Sequence, residues 1–246
     1  MAIQILDRLR SADKRMAYQR TPYVESKRAE ARQRLVEAAV ALIERGGWRE
    51  VQMSAVAAEA GLSTGAVYLH FPSKTDLLSE VYRTQVGTEL HVLSLIAEQS
   101  VPASDRLRAG INAFAQRALK NPRLAYALAL EPTDIEVEEV RLQFHAEFGQ
   151  LFRRILDDGV AAGEFRIADT RVAAACIFGG IVESLMGPLG ASALTGAGAR
   201  TRRPGDASSL VDGVIAFCFH GLGRPIPRAR AASPARGVVK GPRTRR

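Results

Sequence analysis

Gly61-Leu62-Ser63-Thr64-Gly65 has the G-x-S-x-G spacing that raises a nucleophilic serine at a tight strand-to-helix turn in serine hydrolases. That chemistry needs a buried strand before the serine and a sheet beneath it. Here the preceding residues, Met53 to Ala60, are alanine-rich and favour helix, and the chain has no series of short β-branched runs separated by turn pairs. Ser63 therefore reads as a hydroxyl cap for a helix that begins at Thr64, and the enzyme reading loses its scaffold. Three other groups invite chemistry. Cys176 and Cys218 are the only cysteines, each within an apolar helical stretch, which excludes a disulfide framework and favours two buried reduced thiols. Glu131, Asp134, Glu136, Glu138 and Glu139 cluster at what reads as the start of a helix, where acidic residues suit the dipole, so no metal site is expected. Arg224, Arg228, Arg230, Arg236, Lys240, Arg243, Arg245 and Arg246 crowd the last 23 residues without an acidic partner.

Those eight basic residues equal the formal net charge of +8. The rest of the chain is balanced but uneven: residues 1–87 carry 13 basic and 10 acidic side chains, and residues 88–223 carry 13 and 16. A mildly basic front suits contact with a polyanion. The tail is rich in Pro, Gly, Ser and Arg and reads as disordered, either an accessory that raises non-specific affinity for nucleic acid or a solubilising end. A protein acting through that tail alone would not need the apolar helical body before it. Met1 to Asp7 runs into charge before a signal-peptide core can form, and no apolar run reaches the length of a membrane span, so no membrane partner and a cytoplasmic location are expected.

The elements that must position these residues all read as helices, and the expected fold is all-α in two units. Residues 1–25 read as a flexible arm with one helical piece, Ile3 to Leu9. From Ser26 the apolar positions Leu35, Ala38, Ala39, Leu42 and Ile43 recur at helical spacing until Gly46-Gly47. Two short helices, Met53 to Ala60 and Thr64 to His70, flank a turn at Gly61, and Phe71-Pro72 closes the second. Ser73 and Asp76 have capping-box spacing and open a long fourth helix toward Ser100. Further helices are expected at Asp105 to Leu119, Pro122 to Leu130, Asp134 to Gly159, Asp169 to Leu189 and Ala207 to Phe219, with a loop from Gly190 to Gly205.

From Ala57 to Leu77 the chain reads A-x-x-A-G-L-S-x-G-A-x-Y-x-H-F-x-S-K-x-x-L, and this string resembles the TetR family of transcriptional regulators in residue type and order. The resemblance implies a three-helix, helix-turn-helix DNA-binding domain over 26–88, its motif at 52–71, and a helical effector-binding and dimerisation domain over 89–223. In such a motif the first residues of the second helix meet base edges, the place held here by Thr64, Gly65 and Ala66 after Ser63. The resemblance gives Tyr68, His70 and Lys74 to phosphates. It also marks a departure: the family's usual Ser or Thr at the start of helix two is replaced by Val51-Gln52, leaving Gln52 or Ser54 to substitute.

In the body, Val137, Val140, Phe144, Phe148, Leu151 and Ile155 form one apolar stripe with His145 and Phe152 at its flank. A pocket for a small, largely apolar effector is expected among Phe114, Tyr126, Phe144, His145, Phe148 and Phe152. Ala173, Ala174, Ala175, Gly179 and Gly180 on helix 169–189, with Val211, Val214, Ile215 and Cys218 on helix 207–219, suit a homodimer that joins two helices from each subunit. The resemblance puts dimerisation there too, and a two-fold dimer implies an inverted-repeat operator in double-stranded DNA; a long helical body joined to the recognition unit by the fourth helix is expected to make it a repressor released by its effector. No cofactor is called for.

Overall fold

The computed structural model describes residues 22–195 and 204–223. Among them are nine α-helices, a single 3₁₀ turn and no strand. The helices are α1 (Pro22–Gly46), α2 (Met53–Ala60), α3 (Thr64–His70), α4 (Lys74–Ala97), α5 (Ala103–Lys120), α6 (Pro122–Ala129), α7 (Ile135–Ala161), α8 (Thr170–Thr195) and α9 (Pro204–Gly221), with the 3₁₀ turn at Trp48–Glu50 between α1 and α2.

Local chemistry sets most of these boundaries. Ser63 accepts a hydrogen bond from the Ala66 amide at 3.2 Å, as its cap position requires. Ser73 and Asp76 form a complete capping box at the head of α4. Asn121 caps α6 with Pro122 inside the first turn, where a missing N–H costs nothing. Helix α1 starts at Pro22, four residues before Ser26, because proline is tolerated in a first turn and the exposed pairs Lys27–Glu30, Ser26–Glu30 and Gln33–Glu37 support the helix. Helix α8 runs to Thr195 and α9 begins at Pro204, so the outer parts of the expected Gly190 to Gly205 loop are helical. Of the expected arm over 1–25, residues 22–25 are instead the first turn of α1, while residues 1–21 and the basic tail from 224 lie outside the described residues.

Leu35, Leu42 and Ile43 of α1 meet Val56 of α2, Val67 of α3, Phe71, and Leu77, Leu78 and Val81 of α4 in a small buried core. Helix α4 then continues without a break past residue 88, so the expected domain boundary falls inside a helix that belongs to both units. Its later residues Val86 and Leu93 pack into the second core with Leu107 and Ile111 of α5, Phe148, Phe152 and Ile155 of α7, and Ile181 and Leu185 of α8. Buried Arg106 ties that body together, donating to the Ala97 carbonyl at 2.7 Å and to Asp158 at 2.8 Å.

A second connection joins the units beside α4. Trp48 Nε1 donates to the Ala127 carbonyl of α6 at 2.9 Å, and Asn121 hydrogen-bonds Glu44 of α1. Gly47, at φ +85°, lies directly under the Arg123–Glu131 ion pair, and a Cβ there would stand 1.6 Å from the arginine. Any other residue at 47 would meet both a left-handed backbone and a clash.

Candidate nucleic-acid interface and interior cavity

The turn between α2 and α3 depends on Gly61, whose φ of 66° and ψ of 36° lie in the left-handed region while its N–H closes the end of α2. A Cβ at Gly61 would meet nothing, so the backbone angle alone selects glycine. Val67 and Phe71 then face inward, which turns Thr64, Gly65 and Tyr68 of α3 to the surface. Ala66 is half-buried. Tyr68 is 51% exposed, so it does not close the small core. Its neighbour Leu69 is 77% exposed, one helical turn beyond Gly65, and was not among the sequence candidates. Its position on the outward side of the 3.6-residue period was the available signal, overshadowed by its apolar character.

Lys74 is half-buried in the first turn of α4, on the far side of the Phe71-Pro72 corner from α3. His70 closes α3 with its Nδ1 buried and without a hydrogen-bond partner among the described residues. Burial, followed by the nearby Arg28 and Arg32 charges, holds its imidazole below the ordinary histidine range. It is thus neutral at neutral pH and offers an N–H rather than a charge. Arg32 lies 4.7 Å from the Phe71 ring and pairs with Glu80, which fixes the α1 side of this edge. At α2, Gln52 holds the N-cap position but its amide donates to the Arg49 carbonyl at 3.0 Å and caps nothing, while Ser54 is exposed in the first turn.

The body holds a partly open cavity of about 40 Å³ bounded by α4, α5, α6, α7 and α8. Phe114, His145 and Phe148 of the expected pocket line it, joined by Tyr82, Glu89 and Phe178. Phe178 stands 5.2 Å from Phe148 in a stacked arrangement and 6.0 Å from Phe114 edge-on. Burial, with the Arg141 charge second, holds the His145 imidazole low. Phe152 lines an adjoining space of about 20 Å³ together with Phe114 and Phe148. Phe144 and Tyr126 line neither: Phe144 packs on Tyr82 at 5.7 Å, and Tyr126 lies beside Arg123 at 5.8 Å. Tyr82 and Phe178 were missed because α4 reads as a linker and α8 is apolar on every side, so neither sequence marks an inner face.

On α9, Val211, Val214, Ile215 and Cys218 are buried within the chain rather than forming an outer face. The surface of α8 and α9 instead shows Val172, Ala175, Cys176, Gly179, Gly213 and Phe217. Of the two cysteines expected in the core, only Cys218 is there, since Ala174, Ile177 and Phe178 take the inward positions around Cys176. Glu183 is exposed at the edge of α8. Among the described residues no group of three or more His, Cys, Asp or Glu side chains is placed to hold a metal ion, and no helix is long and apolar enough to cross a membrane.

Residues 35–81 match the bacterial regulatory proteins of the tetR family, and residues 100–185 match the tetracyclin repressor-like C-terminal domain. The chain belongs to the TetR family. As a TetR-family protein it is a DNA-binding transcription regulator with a helical ligand-binding C-terminal domain. It is 26% identical over 154 residues to the fatty acid metabolism regulator protein of Bacillus subtilis, covering 61% of this chain and 79% of that one. With the HTH-type transcriptional repressor KstR of Mycobacterium tuberculosis it shares 29% identity over 131 residues, 49% of this chain and 58% of that one. Among solved structures, FadR from Bacillus subtilis in complex with stearoyl-CoA superposes with a TM-score of 0.65 at 22% identity, covering 77% of this chain and 98% of that one. RolR in complex with resorcinol has the same fold at a TM-score of 0.54 and 19% identity, over 82% of this chain and 98% of RolR. These TetR relatives are transcription regulators, in line with the failure of the G-x-S-x-G motif to find a sheet.

Proposed function

We propose that this protein is a dimeric repressor that holds an inverted-repeat operator through α3 and leaves it when a ligand with a long acyl chain enters the body. The observation that carries the reading is the wall of the interior cavity: α4 supplies Tyr82, Val86 and Glu89 to it and begins at Lys74 on the DNA edge. A cavity of about 40 Å³ is far below the roughly 150 Å³ that accommodates benzene in an engineered protein cavity, so an effector has to push the walls apart. Displacement of α4 would change the separation of two recognition helices that must match about 34 Å, one turn of B-DNA. The aromatic lining suits an apolar chain, and the fatty acid metabolism regulator of Bacillus subtilis, whose FadR structure holds stearoyl-CoA, points the same way.

The dimer would form through α8 and α9, where Phe217 is 76% exposed beside a groove that includes Gly180, Ser184 and Gly213. On DNA, Ser63, Thr64, Gly65 and Ala66 would approach base edges, with Tyr68, His70 and Lys74 on phosphates and Gln52 and Ser54 near the backbone at α2. Leu69 would meet a thymine methyl. The protein would act in the cytoplasm.

Selection from random DNA should return an inverted repeat, and hexadecanoyl-CoA should release the selected duplex in a mobility-shift titration. Recovery of a single asymmetric site, or release by no acyl compound, would count against the proposal. Lys74→Ala should weaken operator and random DNA by similar factors and flatten the salt dependence by about 1 to 2 units per dimer, since it removes phosphate contact only. Altered sequence preference with an unchanged slope would place Lys74 at bases instead.

A further inference from the structure

Glu89 of α4 stands where three spaces meet. It lines the aromatic cavity, the adjoining space at Phe152, and an outer cleft of about 330 Å³ that also holds Gln85, Arg117, Lys120 and Asn121. Arg117 Nε binds its carboxylate at 2.9 Å, so the ion pair stands on the wall shared by the polar cleft and the Phe114, Phe148 and Phe178 cluster. No other charged residue lines the aromatic cavity apart from the titratable His145. A carboxylate at the mouth of an apolar chamber has no packing role that glutamine or leucine would not fill at lower desolvation cost.

Resting on the acyl-ligand reading, we propose that Glu89 and Arg117 form the head-group gate of that site: an anionic group at the end of an alkyl chain takes Arg117, the chain passes inward, and the released Glu89 carboxylate takes up a proton. The geometry supplies each part. Arg117 and Lys120 offer cationic donors on the cleft side, and the ring cluster receives the chain. Burial already pushes the Glu89 carboxyl above its ordinary range, with Arg117 opposing. The remaining titratable or charged groups around it are Glu44 from α1, Tyr82 on α4, Lys120 on α5, and His145 with Arg141 behind it on α7. The parts of α6 and α8 that face it are apolar: Ala125, Leu128, Ala129, Phe178 and Val182. With its arginine taken and no second cation in contact, the burial that raises the Glu89 carboxyl goes unopposed. Because the bound state raises the pKa of Glu89 further, anion affinity is greatest below the pKa of the free protein and falls as pH rises through that of the complex.

Calorimetry with hexadecanoate, hexadecanoyl-CoA and hexadecan-1-ol tests this, run in buffers of different ionisation enthalpy. The expected result for the wild-type chain is net proton uptake with an anionic ligand and none with the alcohol. Binding of hexadecanoate alone would assign the head to a carboxylate; binding of both anions would assign it to any anionic group within reach of Arg117. Glu89→Gln should bind the anion about tenfold more tightly, because nothing competes for Arg117, and should lose the proton uptake. Arg117→Gln should weaken anions by about tenfold and leave the alcohol unchanged, and Arg117→Lys should recover part of the loss. His145→Gln should keep the proton uptake. If Glu89→Gln weakens anions and alcohol alike, or proton uptake survives it, the gate is wrong while acyl binding stands. If no acyl ligand binds the wild-type chain, both fall.

Discussion

Phe148→Asp should unfold the C-terminal body at ordinary temperature and abolish operator binding with it. Phe148 is 2% exposed, stacked on Phe178 at 5.2 Å and edge-on to Phe114 at 6.1 Å, at the centre of the ring cluster. Removing a buried phenylalanine costs about 3–5 kcal/mol in lost transfer energy and cavity. An unpaired carboxylate in its place adds several more, against a typical domain stability of about 5–15 kcal/mol. The damage should reach DNA because α4 is shared: a body that no longer packs on Val86 and Leu93 releases the helix that positions Lys74. The contrast variant is Phe144→Asp, at a half-buried position outside the cavity, which should shift the melting temperature by far less. Phe148→Leu should fold and bind operator while altering the response to hexadecanoyl-CoA. Circular dichroism melts of the three variants decide the point: a Phe148→Asp protein that melts like wild type would mean a hydrated, open chamber rather than a packed core.

The DNA-binding unit was legible in the sequence because its determinants are short-range. Gly61 answers to its own φ, Ser63 to an amide three residues on, and Ser73 and Asp76 to each other. The 3.6-residue period of α1 marked Leu35, Leu42 and Ile43 correctly as core. The body was less legible, since its partners are distant. Helix α5 begins at Ala103 because Glu164, some 60 residues away, accepts from the Ala103 and Ser104 amides at 2.9 and 3.0 Å; local pattern placed the start at Asp105. Arg106 and Arg141 look like surface charge in sequence and are buried, each spent on backbone carbonyls. Apolar residues surround α8 on all sides, so periodicity could not say that Phe178 faces the cavity and Cys176 does not. The same ambiguity put Val211, Val214, Ile215 and Cys218 on an outer face that Phe217 and Gly213 occupy instead. Three of the six pocket candidates, Phe114, His145 and Phe148, share the chamber; α7's apolar stripe was the signal for Phe148 and, at its flank, His145, whereas Phe114 comes from α5.

Trp48→Phe should leave a folded protein that binds both operator and acyl ligand but transmits more weakly between them, through α4 alone. Trp48 is buried beside α1, and its indole N–H is bonded to the carbonyl of Ala127 on α6. Ala125, Leu128 and Ala129 of the same short helix line the cavity, so a ligand that widens the chamber must press on the helix that Trp48 holds. Around this link, Arg141 donates to the Glu131 carbonyl at 2.8 Å, and the Arg123–Glu131 pair bears on Gly47, so α6 and the start of α7 lean on the end of α1 as one piece. The phenylalanine keeps most of the ring burial and deletes only the hydrogen bond, at a cost of about 1–2 kcal/mol, because Arg141 still reaches the Ala127 carbonyl at 3.4 Å. Trp48→Ala would confuse the test by removing about 3–5 kcal/mol of core. Coupling in regulators of this kind is typically about 1–3 kcal/mol, or about 5- to 150-fold between the two affinities, and linkage makes it reciprocal. Titrating hexadecanoyl-CoA with and without saturating operator duplex should therefore give a clear ratio for the wild-type chain and a markedly smaller one for Trp48→Phe. A variant that keeps the wild-type ratio would assign transmission to α4 alone, with the Trp48 link serving only to hold the two units together.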